Sequence, residues 1–245
     1  MDKVLVYSVT PPLSGDKRAA AIIAAAGSFT RMEGIQKQLV LLDGTPAIAH
    51  TIKAFQEAEN IREIVVVART QDFSEIINIC RQYTFDKVST VVSGGGTRQQ
   101  SVFNGINCAQ ADTKFFAIHD GARPLVTSRT IDRVVESAWN TGAAIAAVPC
   151  KDTVKMSDNS GFVAGTPDRK NLWIAQTPQV FERELYLRAA KAAAQNGEDF
   201  TDDSQLVERL GVNVCLVESE YENIKITTPG DIAVAHSIIE FRKKS

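Results

Sequence analysis

The sequence predicts an α/β fold: a mostly parallel, doubly wound sheet with a protruding β-hairpin arm. Three observations predict it. Short apolar runs rich in Ala, Val and Ile recur about every 25 residues. Amphipathic stretches of helical period separate them. At 150–170 the rhythm gives way to two short alternating segments around a turn-prone centre. Right-handed crossovers in such a sheet bring the strand C-terminal ends to one edge, where ligands bind.

Residues 1–18 (MDKVLVYSVTPPLSGDKR) carry only a short apolar patch, followed at once by Pro11 and Pro12. The patch is too short for a signal peptide and lacks a strongly charged start, so it is read as an N-terminal extension. Residues 19–245 are read as a single domain with an arm at about 150–170. AAAIIAAAG (19–27) is a continuous apolar run ending in glycine, as suits a buried parallel strand. Thr45-Pro46 is expected to cap and open the helix IAHTIKAFQEA. EIVVVA (63–68) is a β-branched strand, with a helix after it over 72–83. VSTVV (88–92) is a strand running into the loop SGGGTR, with a helix over about 99–110. KFFAIHD (114–120) is the next strand, followed by a helix over 128–140 capped by Thr127 and the strand AAIAAVP (143–149). TVKM and FVAGT flank SDNSG as a hairpin. After LWIAQTP come helices at about 182–195 and 202–210, strands VNVCLVE and NIKIT, and a last helix from Thr228-Pro229. No repeat, low-complexity tract or linker interrupts the chain.

A formal net charge of −2 excludes a global basic field that would draw the chain to nucleic acid or an anionic membrane. Anionic substrates must then be held by local cations. Cys80, Cys108, Cys150 and Cys215 form no CxxC pair, and three lie in apolar runs, which points to reduced thiols in a cytoplasmic protein. His50, His119 and His236 are too scattered for a zinc site. No apolar run is long enough to span a bilayer.

Four constellations carry possible chemistry. In AAAGSFTRMEGIQKQ (24–38), a strand enters a glycine turn followed by Arg31 and Lys37. Backbone N–H groups around Ala25, Ala26 and Gly27 can cradle phosphate oxygens while the two cations balance charge. The glycine spacing fits neither a Walker loop nor the dinucleotide fingerprint, and a surface turn with solvated cations is the alternative. In SGGGTRQQSV (93–102), Gly94 and Gly95 allow close backbone approach and Arg98 and Ser101 offer donors; alternatively Thr97 simply caps a helix. In HDGARP (119–124), Asp120 ends a strand beside a glycine, where a carboxylate can meet a sugar hydroxyl or a hydrated magnesium ion. His119, entering from an apolar strand, reads as a structural hydrogen-bonding residue rather than a base. Lys225 in ENIKIT lies either on a solvated face or in a site.

AAAG…TRM…KQ, GG…R..SV, HDGARP, DTVK, DR..LW..QTPQ.F, TDD and NIKIT together, in this order from about residue 19 to 240, resemble the 2-C-methyl-D-erythritol 4-phosphate cytidylyltransferases. That resemblance implies a Rossmann-like nucleotidyltransferase fold and transfer of CMP from CTP to a polyol phosphate in nonmevalonate isoprenoid synthesis. It also implies dependence on Mg2+ and a homodimer whose β-arms reach the partner's site. By the same resemblance Arg31 and Lys37 stabilise charge on the triphosphate, and Arg169 and Lys225 position the methylerythritol phosphate. Thr153 contacts that phosphate from the arm, with Arg169 donated across the dimer. Gly94, Gly95 and Ser101 correspond to the cytosine-recognition segment, and Asp120 to the acidic residue near ribose and metal. This chain departs from the pattern at Phe29, where a small residue is usual, at Ile35-Gln36 before Lys37, where proline is common, and at Gly121, where alanine is usual.

Two rival readings accompany it: a ribitol 5-phosphate cytidylyltransferase, and a catalytically weak homologue acting as a nucleotide-binding regulatory dimer. Other polar residues have structural readings. Asp231 fits a capping box, Asp202 and Asp203 are first-turn helix acids, and Trp173 and Phe181 are packing residues.

Overall fold

The computed structural model describes residues 1–7, 15–27, 36–200 and 202–244. The chain runs through β1 (Lys3–Leu5), β2 (Ala19–Ala24), the paired β3 (Leu41–Leu42) and β4 (Thr45–Pro46), α1 (Ala47–Glu57) and β5 (Ile61–Ala68). It continues through α2 (Phe73–Gln82), β6 (Val88–Ser93), α3 (Arg98–Ile106), β7 (Phe115–Asp120), α4 (Ser128–Thr141) and β8 (Ala143–Pro149). The remainder is β9 (Met156–Ser157), β10 (Val163–Gly165), β11 (Trp173–Glu182), α5 (Arg183–Asn196), α6 (Asp203–Glu208), β12 (Cys215–Glu218) and α7 (Pro229–Lys244).

One sheet takes the order β1-β6-β5-β2-β7-β11-β8-β12. The runs β6-β5-β2-β7 and β8-β12 are parallel, while β1 and β11 are antiparallel to their neighbours. The fold is therefore the mostly parallel α/β sheet expected. β2, β5, β6, β7 and β8 are buried on both faces, which is why they read as continuous apolar runs. Ala19, Ala21 and Ile23 of β2 face a core shared with α1, α2 and α4. Ala20 and Ile22 face the opposite core, shared with α3, α5 and α6. Gly105 lets α3 lie directly on the sheet, since a Cβ there would stand 2.5 Å from Ile22 Cγ2 and 2.7 Å from Val67 Cγ2. A smaller cluster of Leu42, Ala47, Leu125, Ile226, Ala235 and Ile239 seats α7.

Most expected elements form within a residue or two of their expected bounds. Four differ. Lys3–Leu5, within the N-terminal extension, joins the main sheet as an edge strand on β6. Thr45-Pro46 pairs with Leu41-Leu42, so Pro46 rather than Thr45 occupies the cap of α1, with no side-chain cap bond. The hairpin arm is present, but its ladder is only β9 with β10. The strand expected at NIKIT does not form; residues 223–227 join no ladder. Their alternation has another cause: Ile226 is fully buried beneath α7, with Ile224 packed alongside.

Candidate active site

β5 and β6 lie on one side of β2 and β7 on the other, so the chain reverses its winding between β2 and β7. A crevice opens at such a switch point, beyond the strand C-termini. Here Ala24 ends β2 opposite Asp120, which ends β7. A cavity of about 580 Å³ lies there, lined by Ala24, Ala26, Gly27, Lys37, Gln38, Arg69, Gly95, Gly96, Thr97, Arg98, Ser101, Asp120, Ala122 and Lys225. That volume suits a small-molecule ligand. Among the described residues, four cations against one carboxylate make the lining suited to an anion.

Two loops form one wall. The Ala25 N–H donates to Val67 O at 2.7 Å, and Gln38 Nε2 donates to Ala25 O at 2.9 Å, so Ala25 supports the turn while Ala26 and Gly27 line the cavity. In the glycine loop, Gly95 N–H donates to Ser101 Oγ at 3.0 Å, and that hydroxyl donates to Thr97 O at 2.9 Å. Ser101 thus shapes the loop, and Thr97 also caps α3 by accepting from Gln100 N–H. Gly94 is required by close approach: a Cβ there would stand 2.4 Å from Ala26 Cβ.

Asp120 is the electrostatic centre. Lys225 Nζ lies 2.6 Å from its Oδ2, Arg98 Nε 3.2 Å from Oδ1, and Arg123 Nε 3.9 Å from Oδ2. Burial acts to raise the Asp120 pKa, but Arg98, Lys225 and Arg123 outweigh it and hold the carboxyl well below the usual range. It is a carboxylate at any working pH. Lys225 reaches it because its neighbours are anchored: Ile226 N–H donates to Ala122 O at 2.8 Å, and Asn223 Nδ2 donates to Gln176 Oε1 and Thr177 O. Of the two positions open to Lys225, the fold takes the one in the cavity.

His119 lies behind this centre and is fully buried. Asp120 N–H donates to Thr177 Oγ1 at 3.1 Å, and Thr177 Oγ1 and His119 Nδ1 are 3.0 Å apart. His119 Nε2 meets Arg123 O at 3.2 Å. Nε2–H donates to the carbonyl, and in the neutral ring that burial favours Nδ1 accepts from the Thr177 hydroxyl. Burial pushes its pKa down to about 4. The structural role expected for His119 fits this geometry.

Arg31 and Phe29 lie outside the described residues, as does Ile35. Arg169 and Thr153 sit exposed on the arm, with Arg169 Nη1 donating to Lys151 O, and neither lines the cavity. Arg69, Gln38 and Arg123 were not singled out by the sequence. Arg69 directly follows the last residue of β5, a strand-end position like that of Asp120 that could have marked it. Asp203, read as a helix acid, is fully enclosed and bonded to Arg98 and Tyr186. Asp231 gives one half of the expected capping box, its Oδ2 accepting from the N–H groups of Thr227 and Thr228, while its own N–H donates to the Thr228 carbonyl instead of the Thr228 hydroxyl. Among the described residues no group of three or more His, Cys, Asp or Glu side chains could hold a metal ion, and no helix is long and apolar enough to cross a membrane.

Comparison with known proteins identifies the family. The family model described as IspD: 2-C-methyl-D-erythritol 4-phosphate cytidylyltransferase matches residues 19–241. A protein of that name from Caldanaerobacter subterraneus subsp. tengcongensis is 46% identical over 218 residues, covering 88% of this chain and 96% of the relative. Another from Alkaliphilus oremlandii is 42% identical over 93% of this chain and 97% of the relative. Among solved structures, 4-diphosphocytidyl-2C-methyl-D-erythritol synthase from Anaerococcus prevotii superposes with a TM-score of 0.83 at 31% identity, covering 92% of this chain and 97% of that one. The 2-C-methyl-D-erythritol 4-phosphate cytidylyltransferase of Thermus thermophilus gives a TM-score of 0.72 at 28% identity, over 91% of this chain and 98% of that one. A switch-point crevice lined by cations, in a chain matched by that family over nearly its whole length, leads to one statement: the chain belongs to the 2-C-methyl-D-erythritol 4-phosphate cytidylyltransferase family.

Proposed function

We propose that the chain transfers CMP from CTP to 2-C-methyl-D-erythritol 4-phosphate, giving 4-diphosphocytidyl-2-C-methyl-D-erythritol and pyrophosphate in nonmevalonate isoprenoid synthesis. The observation that carries this reading is the convergence of Lys37, Arg98 and Lys225 on one cavity where Asp120, the one lining carboxylate among the described residues, is already neutralised. A phosphate oxygen of the polyol attacks the α-phosphorus of CTP, and the bond to the bridging α–β oxygen breaks as pyrophosphate leaves. The nucleophile is anionic near neutral pH, so positioning and charge neutralisation dominate over proton transfer. A neutral, enclosed His119 agrees with that division of labour.

In this reading Lys37 and Arg31 neutralise the triphosphate, and Lys225 holds the polyol phosphate. The Ala26–Gly27 turn and the Gly94–Gly95 loop shaped by Ser101 receive the nucleoside, with Ala25 behind them and Arg98 beside them. Asp120 meets the ribose and the metal. The donor set fits a Mg2+ ion carried largely by triphosphate oxygens and water, because such ions need only one or two carboxylates and Asp120 is the one lining the cavity among the described residues. When bound, the ion adds charge neutralisation on the phosphates. Thr153 and Arg169 are exposed on the arm, which suits contributions to a partner's cavity in a homodimer. Four free cysteine thiols suit a cytoplasmic location.

Pyrophosphate release with CTP and Mg2+ tests the reading, with methylerythritol phosphate and ribitol 5-phosphate compared side by side. Turnover is expected with the erythritol substrate alone, and Lys225→Ala is expected to lower kcat/KM about a hundredfold or more. Preference for ribitol 5-phosphate would overturn the substrate assignment. CTP binding without turnover would favour a regulatory nucleotide-binding dimer.

A further inference from the structure

Asp203 does not line the cavity, yet it is 1% exposed at the start of α6. Tyr186 Oη donates to its Oδ1 at 2.8 Å, and Arg98 Nη1 donates to its Oδ2 at 2.5 Å. The same guanidinium donates from Nε to Asp120 Oδ1 at 3.2 Å, while Lys225 Nζ holds Asp120 Oδ2 at 2.6 Å. Tyr186, Asp203, Arg98, Asp120 and Lys225 thus form one row of alternating partners, running from the α5–α6 layer to the cavity.

We infer that Asp203, backed by Tyr186, is a positioning residue that fixes Arg98 and through it the placement of Asp120 and Lys225 toward the substrates. This inference rests on the reading of the cavity as the CTP and polyol phosphate site. A guanidinium offers a planar fork that prefers to grip a carboxylate with two parallel bonds. With Nη1 committed to Asp203, only Nε meets Asp120, on Oδ1, and Oδ2 is left for Lys225. Remove the charge at 203 and the fork is free to turn and take both oxygens of Asp120. Lys225 then loses its anchor. Tyr186 and Asp203 are buried and stand too far back to touch a ligand, so their effect on turnover has to pass through Arg98.

The test is a double-mutant cycle on kcat/KM for the polyol phosphate, using the wild type, Asp203→Asn, Lys225→Ala and the pair. Asparagine keeps the size and still accepts from Tyr186, but loses the charge. Asp203→Asn is expected to lower kcat/KM roughly tenfold to a hundredfold. In the pair, the Lys225 substitution should add at most a few-fold, because contacts in one network are not additive. Tyr186→Phe should move the same parameter about threefold in the same direction; if Asp203→Asn does not fold, Tyr186→Phe with Lys225→Ala completes the cycle. Wild-type kcat/KM in Asp203→Asn, or losses that simply multiply in the pair, overturn the inference. A wild type that turns over neither polyol phosphate overturns the functional reading instead, so the two failures are distinct.

Discussion

Acidification is expected to weaken the fold through His119 before it titrates most carboxylates. The ring is fully buried, and its pKa falls to about 4 from an unfolded value of 6.5. Between those values the unfolded chain holds a proton at this position that the folded chain excludes. The stabilisation is complete above pH 6.5 and is lost progressively as pH falls toward 4. A gap of about 2.5 pKa units corresponds to about 3 kcal/mol, a large share of a typical domain's stability. Asp203 works the other way just above its unfolded value, since burial raises its pKa even against Arg98. The assay is denaturant unfolding at pH 7, 6, 5 and 4.5 on the wild type and on His119→Gln, which cannot titrate at this position. His50 and His236 are common to both proteins and cancel in the difference. The wild-type advantage should be constant above pH 6.5 and shrink by about 3 kcal/mol toward pH 4. An advantage that stays constant across the whole range would refute the reasoning.

Two further substitutions probe the site and its support. Gly94→Ala places a Cβ 2.4 Å from Ala26 Cβ, so the two loops that line the cavity must part. Displacements of about 1 Å are costly at reacting centres, and calorimetry should show CTP affinity reduced roughly tenfold to a hundredfold. Asp231→Ala removes the acceptor for the amides and hydroxyls of Thr227 and Thr228. Loss of such a cap should lower the unfolding free energy by about 1 kcal/mol, read from the denaturation midpoint.

The buried strands were legible because parallel sheets covered on both faces write unbroken apolar runs, as in AAAIIA and EIVVVA. Asp120 was legible because a charged residue closing such a run has to emerge at the ligand edge. β1 left no comparable mark: its three residues are all exposed, and pairing with β6 rather than burial holds them in place. NIKIT misled because Ile224 and Ile226 alternate for contact with α7, not for a ladder. Asp203 was legible only as a helix acid; its partner Arg98 lies 105 residues away, and nothing local records that meeting. The antiparallel course of β11 between two strands of the parallel scaffold was equally invisible, since LWIAQTPQVFE carries no sign of direction.

That strand ties the arm to the cavity. At Trp173 β11 pairs with Pro149 at the arm's root, and by Thr177 it holds both His119 and the Asp120 amide. Between the two points the register on β8 shifts, from Ala175 opposite Ala147 to Gln179 opposite Ile145, so the arm's root and Thr177 flank an irregular stretch of one strand. The strand that roots the arm is thus also the one that fixes the backbone of the carboxylate at the cavity's centre. A ligand seated at the arm's root would therefore touch, from outside the cavity, the strand that holds the Asp120 amide.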